Sequence, residues 1–158
     1  MFKDVIGEWP MHERFILTSC DDTYFDQYFP RFYNTYKENW HLPIHVHIVD
    51  PSDNSISRLQ ELDLSYTHCT TDTAVLKWPY SRVTYCQAQR FILLGHNLLE
   101  GQSVIVADVD SYALREPTET QKQTLESDMA FTEHNGRLMA TFCNFHHSKR
   151  AQALESAI

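Results

Sequence analysis

Two aspartates separated by a single residue, Asp108 and Asp110, are the most informative pair of side chains in this sequence. In an extended strand, side chains two positions apart point to the same side, so both carboxylates could reach one bound ion. Carboxylate oxygens favour Mg²⁺ or Mn²⁺, and Mg²⁺ completes its shell with waters and substrate phosphates. Such an ion would offset the charge of a diphosphate and stabilise it as a leaving group. The alternative is that both aspartates are solvated loop residues.

The elements that must position this pair are strands alternating with helices. Continuous apolar runs predict strands, and apolar residues at steps of three and four predict helices. The predicted strands cover 14–19, 43–49, 66–69, 103–107, 128–133 and 138–145. The predicted helices cover 25–40, 55–62, 83–99 and 148–158. We expect Pro30 in an early turn of the first helix, where its missing N–H costs least.

This alternation predicts an α/β fold, formed by residues 1–158 as one domain, with a mostly parallel central sheet flanked by helices. Ligands of such sheets bind outside the carboxyl ends of the strands. Polar clusters at 18–22, 50–53 and 108–110 each follow a predicted strand. We therefore expect these clusters to meet at one edge of the sheet. Asn135-Gly136 predicts a tight turn between the last two strands.

Composition excludes several classes of protein. With 13 Lys+Arg against 21 Asp+Glu and a net charge of −8, the chain has no basic surplus for binding nucleic acid. Its four glycines occur in neither a Gly-x-Gly-x-x-Gly nor a Gly-x-x-x-x-Gly-Lys loop. The four dispersed cysteines are typical of reduced thiols. No apolar run is long enough to span a bilayer and no signal peptide is evident, so we expect a soluble, cytoplasmic protein.

Four segments of the chain together form a pattern that occurs in a known group of proteins. Residues 15–24 have the sequence Phe-Ile-Leu-Thr-Ser-Cys-Asp-Asp-Thr-Tyr, and 46–50 form the next strand. Arg82 and Arg90 precede 104–110, which has the sequence Val-Ile-Val-Ala-Asp-Val-Asp. This set resembles the nucleotide-sugar glycosyltransferases with the Rossmann-like GT-A fold, in particular the glycogenin-like and galactosyltransferase-like group called family 8. The Asp-x-Asp sequence after an apolar strand is the most specific part of the likeness.

The resemblance implies a metal-dependent glycosyltransferase. Its donor would be a nucleotide diphosphate-sugar, with a UDP-sugar favoured, and its acceptor is not indicated. The resemblance implies a nucleoside pocket lined by Thr18, Cys20, Asp21 and Tyr24, with the ring of Tyr24 stacked on the base. From the residues alone, Tyr24 could instead begin a packed aromatic stripe along the first helix.

The resemblance also assigns residues to the diphosphate and the ion. Asp108 and Asp110 would hold Mn²⁺ or Mg²⁺, and Asp108 would also contact the ribose or the sugar. Arg82 and Arg90 would face the phosphates, where a guanidinium can pair with two oxygens. From the residues alone, both arginines could be exposed helix charges. No catalytic residue is predicted.

The sequence departs from the family on its acceptor side. Met139-Ala140-Thr141 stands where the family has Asn-x-Gly, and the chain ends before the family's late histidine ligand, which His146-His147 could replace. These departures leave open a non-catalytic nucleotide-binding or assembly module, whose site an oligomer or a partner chain would complete. His45 and His47 share one side of a strand and could bind a metal or be structural.

Overall fold

A seven-stranded mixed sheet flanked by helices forms the centre of the protein. The computed structural model describes residues 5–71, 81–127, 129–134 and 137–147. The strands are β1 (Ile6–Gly7), β2 (Arg14–Asp21), β3 (Ile44–Val49), β4 (Ser65–Cys69), β5 (Ser103–Ala107), β6 (Met129–His134) and β7 (Arg137–His146). The helices are α1 (Asp22–Asn39), α2 (Asp53–Gln60), α3 (Ser81–Asn97) and α4 (Glu119–Thr124).

The strands lie in the order β1-β4-β3-β2-β5-β7-β6. The four central strands β4, β3, β2 and β5 are parallel, whereas β1, β7 and β6 pair antiparallel with their neighbours. The α/β class and the parallel core are therefore confirmed. Because parallel strands end at the same edge, the residues that follow β2, β3 and β5 lie along one edge of the sheet.

Two helices cover the two faces of the parallel core. Phe25 and Phe29 of α1 pack with Ile16 on one face, and Leu94 of α3 packs with Leu17 on the other. Successive residues of β2 point to opposite faces, so its odd-numbered positions face α3 and its even-numbered positions face α1. Within the described ranges, no helix has the length and apolar character needed to cross a membrane.

Where an element was predicted within the described residues, its predicted bounds differ from the observed ones by few residues. The strand β1 and the helix α4 were not predicted. The expectation for Pro30 is wrong, because it is the ninth of the 18 residues of α1. The turn predicted at Asn135-Gly136 and the helix predicted over 148–158 lie outside the described residues.

His45 and His47 are fully buried on the α3 face of β3 and belong to a chain of hydrogen bonds. The hydroxyl of Thr67 lies 3.1 Å from Nε2 of His45 and 2.9 Å from Nδ1 of His47. Nδ1 of His45 lies 2.9 Å from Oγ of Ser65, and Nε2 of His47 lies 3.3 Å from Sγ of Cys69. All four ring nitrogens are thus engaged by protein groups, which supports the structural interpretation of this pair.

Candidate functional site

A cleft with a volume of about 110 Å³ opens at the carboxyl ends of β2 and β5. The order of the strands reverses at this point, because β3 and β4 lie beyond β2 whereas β5 lies on its other side. The first turns of α1 and α3 complete the rim with Tyr24 and Val83. Open α/β sheets bind ligands at such reversal points, outside the ends of the strands. This cleft is therefore the candidate functional site.

Asp108 and Asp110 both line this cleft. The strand β5 ends at Ala107, and the two aspartates lie in a turn in which Ser111 donates its N–H to the carbonyl of Asp108 over 2.9 Å. The side chain of Val109, between them, is buried in the core under α1. The two aspartates therefore lie in a turn just past the strand and not in the strand itself, and both line the same cleft.

Arg90 forms a buried ion pair with the first aspartate. Its Nη1 donates to Oδ1 of Asp108, and the two side chains are 2% and 19% exposed. Its Nε also donates to the carbonyl of Gln87 over 3.3 Å. The alternative of an exposed helix charge is therefore wrong for Arg90, which acts on the cleft through Asp108. Arg82 lies in the first turn of α3, and its side chain is outside the described part.

Tyr24 presents an accessible ring to the cleft. The carboxylate of Asp21, which also lines the cleft, caps α1 by accepting the N–H of Tyr24 over 2.9 Å. This cap fixes where the helix begins and so where the ring lies. The side chain of Tyr24 is 39% exposed, and its ring centroid lies 5.2 Å from that of Tyr28. One part of the ring thus packs along the helix while the rest remains open to a ligand.

Thr18 and Cys20, the remaining residues predicted for the nucleoside pocket, are both buried. Cys20 lines the cleft, and burial raises the pKa of its thiol well above the usual value, with Cys86 and two neighbouring aspartates adding to the shift. The thiol of Cys20 therefore stays protonated at neutral pH. Thr18 points to the α1 face, is fully buried, and is not among the described residues that line the cleft.

The polar cluster at 50–53 lies at the same edge of the sheet but outside the cleft. Oδ1 of Asp22 accepts the N–H of Ser52 over 2.8 Å, which joins the start of α1 to the cap of α2. The carboxylate of Asp50 accepts the N–H of Thr71 over 2.7 Å. The described contacts of this cluster therefore hold neighbouring connections together.

His146 is too far away to complete an ion site with Asp108. Because β7 runs antiparallel to β5, His146 pairs with Ser103 at the opposite end of β5 from the cleft. Ser103 and Ala107 are four residue steps apart along the strand, a distance of about 13 Å. His147 binds the same end of β5 through its N–H, which donates to the carbonyl of Gln102. The suggestion that these histidines replace a third ligand is wrong.

Several residues of the cleft were missed. Val83, Cys86 and Gln87 line it and precede Arg90 by seven, four and three positions. This is the spacing of one helix face, so Arg90 itself could have indicated them. Ser19 also lines the cleft, from the α3 face of β2. The alternation of β2 could have separated it from Thr18.

Two carboxylates line the cleft, and carboxylate oxygens are the ligands that hard divalent cations prefer. In the described part of the chain, no three side chains of His, Cys, Asp or Glu come together as a metal site. Asp108 and Asp110 nevertheless bring two carboxylates to one cleft. Mg²⁺ is bound in proteins by one or two carboxylates together with waters and substrate phosphates. Two carboxylates are therefore sufficient protein ligands for such an ion.

Comparisons with protein-family models and with curated proteins find no match to this chain.

Proposed function

We propose that the protein is a metal-dependent glycosyltransferase with a GT-A fold, which transfers a sugar from a nucleotide diphosphate-sugar to an acceptor. The observation that carries this proposal is the meeting of Asp108, Asp110 and Tyr24 in one cleft at the reversal point of the sheet. An acidic pair for an ion and an accessible ring for a base are the two features that a nucleoside diphosphate requires. A UDP-sugar is the favoured donor because of the resemblance to family 8.

The order of the parallel strands supports the finer fold assignment. Counted from β2, the four parallel strands stand in the order third, second, first, fourth. This is the order of the first four strands in doubly wound nucleotide-binding sheets, which bind their ligand between the first and the fourth. The cleft lies between these two strands, β2 and β5.

Each part of the cleft has a distinct task in this proposal. Tyr24 stacks on the base, and Asp108 and Asp110 bind Mn²⁺ or Mg²⁺ together with the diphosphate. The bound ion would stabilise the nucleoside diphosphate as the bond to the sugar breaks. Arg90 fixes the carboxylate of Asp108 from below, so that its position does not depend on the ligand.

Calorimetry with UDP, in the presence and absence of Mn²⁺, tests the proposal. We expect Asp110→Asn to remove the part of the UDP affinity that depends on Mn²⁺, because the amide keeps the shape of the side chain and loses its charge. Asp63→Asn is the control, since Asp63 is an exposed carboxylate that pairs with Lys37 away from the cleft. UDP binding that is the same with and without Mn²⁺ would contradict the proposed ion site.

A second candidate function is a nucleotide-binding or assembly module of the same fold without catalysis. The ion pair favours it, because Asp108 is already bound by Arg90 and could serve the stability of the turn. Incubation with UDP-, GDP- and ADP-sugars and Mn²⁺ separates the two functions. Release of the nucleoside diphosphate from one of these donors, lost in Asp110→Asn, supports the transferase, whereas binding without turnover supports the module.

A further inference from the structure

Ser19 presents a buried hydroxyl to the cleft. Its side chain lies near the carboxyl end of β2, is 6% exposed, and lines the cleft together with Cys86 of α3. No residue in the described part of the chain forms a hydrogen bond with its Oγ. Buried hydroxyls in proteins are nearly always paired, and an unpaired one is destabilising. An unpaired hydroxyl that faces a cleft therefore indicates that a ligand supplies the partner.

The walls of the cleft indicate which part of a ligand reaches this hydroxyl. Tyr24 belongs to the α1 layer and Val83 to the α3 layer, so they flank the cleft from the two sides of the sheet. Their side chains are 39% and 49% exposed. Cys20 and Cys86 also line the cleft, and both are buried. An aromatic ring and an apolar side chain on either side of a cleft that also contains the Ser19 hydroxyl suit a flat ring with a polar edge.

We infer that Oγ of Ser19 forms a hydrogen bond with the polar edge of the nucleobase and contributes to the choice of base. This inference rests on the proposed nucleotide-binding function. A serine hydroxyl can donate and accept, so it can pair with a carbonyl or with an N–H on that edge. A base that offers no partner leaves the hydroxyl unpaired, and a site with an unpaired polar group discriminates against such a ligand.

Thr18 provides a matched control inside the same strand. Its Oγ1 is also buried and without a hydrogen-bond partner among the described residues. It points to the α1 face, however, and does not belong to the described lining of the cleft. If unpaired hydroxyls on β2 were only a feature of its packing, substitution of Thr18 and substitution of Ser19 would have the same effect on ligand affinity.

The test compares Ser19→Ala with Thr18→Val. Neither substitution removes a hydrogen bond within the described part of the protein, so both variants should unfold at temperatures no lower than the wild type. We expect Ser19→Ala to weaken binding of uridine and of UDP with Mn²⁺ by about 3- to 10-fold, the effect of one hydrogen bond. Thr18→Val should leave both affinities unchanged. Ser19→Cys, with a weakly bonding thiol, serves if the alanine variant fails to fold.

Further ligands show whether the effect of Ser19→Ala is specific to the base. Inorganic diphosphate with Mn²⁺ carries no base, so its affinity should be the same in the wild type and in Ser19→Ala. Across UDP, CDP, ADP and GDP, the ratio between the highest and the lowest binding affinity should be smaller in Ser19→Ala than in the wild type. Equal uridine affinity in the wild type and the variant would overturn the role of Ser19 while leaving the proposed function intact. Failure of the wild type to bind any of these ligands would overturn both.

Discussion

The ion pair between Arg90 and Asp108 makes a direct prediction for the stability of the protein. Asp108→Asn removes a carboxylate and leaves the guanidinium of Arg90, which is 2% exposed, without its charged partner. A buried cation cannot recover its lost hydration, so removing its partner costs much more than the pair itself contributes. The variant should therefore unfold much more readily than the wild type.

The expected loss follows from the burial of the two side chains. Breaking a buried ion pair costs about 3–5 kcal/mol in the free energy of unfolding. Because Asp108 is 19% exposed, water already screens part of the interaction, and we take the lower end, about 3 kcal/mol. For a domain of this size, about 2–4 °C per kcal/mol converts this to a melting temperature lowered by roughly 6–12 °C.

Urea unfolding and calorimetry of four proteins measure this loss. They are the wild type, Asp108→Asn, Arg90→Met and the double variant. The double variant removes both charges, so it should be more stable than Asp108→Asn alone, and the cycle gives the coupling between the two side chains. Asp63→Asn is the control, because its pair with Lys37 is exposed and should leave the melting temperature close to that of the wild type. If Asp108→Asn unfolds at the temperature of Asp63→Asn, the buried pair does not hold the turn after β5.

Two other predictions concern the ring at the cleft and the buried histidines. Tyr24→Leu should weaken uridine binding by about 1–3 kcal/mol through lost stacking, whereas Tyr33→Leu, further along α1, should not change it in the same calorimetric titration. Burial, with a contribution from His47, lowers the pKa of His45 to about 3, and burial, with a contribution from His68, lowers that of His47 to about 4. Below the ordinary histidine pKa of about 6.5, both histidines are protonated in the unfolded chain but stay neutral in the folded protein. The free energy of unfolding should therefore fall by up to about 1.4 kcal/mol per pH unit for each histidine as the pH drops toward 4. Denaturant unfolding between pH 7.5 and 4.5 measures this slope. His47→Gln should reduce the slope by about half, and a stability that does not change with pH would contradict the burial of these rings.

The sequence predicted the central strands better than the edges of the sheet. The strand β5 coincides with the predicted 103–107 because Ser103 is followed by four apolar residues and then directly by an aspartate. The strand β1 has only two residues, too few for any periodicity, and depends on a contact distant in sequence. Gly7 has a φ of 109°, and a Cβ there would lie 2.4 Å from the carbonyl oxygen of Tyr66. Only the folded sheet reveals that requirement.

The two remaining errors in the predicted secondary structure have local causes. The helix α4 buries no side chain, so its apolar pattern is absent, although the capping box of Thr118 and Gln121 was visible in the sequence. Pro30 lies inside α1 because the aromatic face of that helix continues on both sides of it, with Phe29 and Phe32 buried. Their packing outweighs the loss of one backbone hydrogen bond.

The residues of the cleft were partly predictable, and their pairing was not. Asp21, Tyr24, Asp108 and Asp110 line the cleft because each lies at or just after the end of a parallel strand, which the sequence pattern indicated. The contact of Arg90 with Asp108 depends on how α3 is rotated against the sheet. Helix periodicity gives the face of a helix but not the depth to which a long side chain reaches.

The charges of the cleft imply that binding of the diphosphate needs a cation, whereas binding of the nucleoside does not. Asp21, Asp108 and Asp110 line the cleft, and of the described cations Arg90 offsets Asp108. The carboxylate of Asp110 repels a diphosphate until a divalent ion binds, whereas a neutral nucleoside meets mainly the ring of Tyr24. Asp110→Asn should thus alter UDP binding and leave uridine binding unchanged. If it abolished both, the aspartates would be maintaining the shape of the cleft, and an ion would not be needed to explain them.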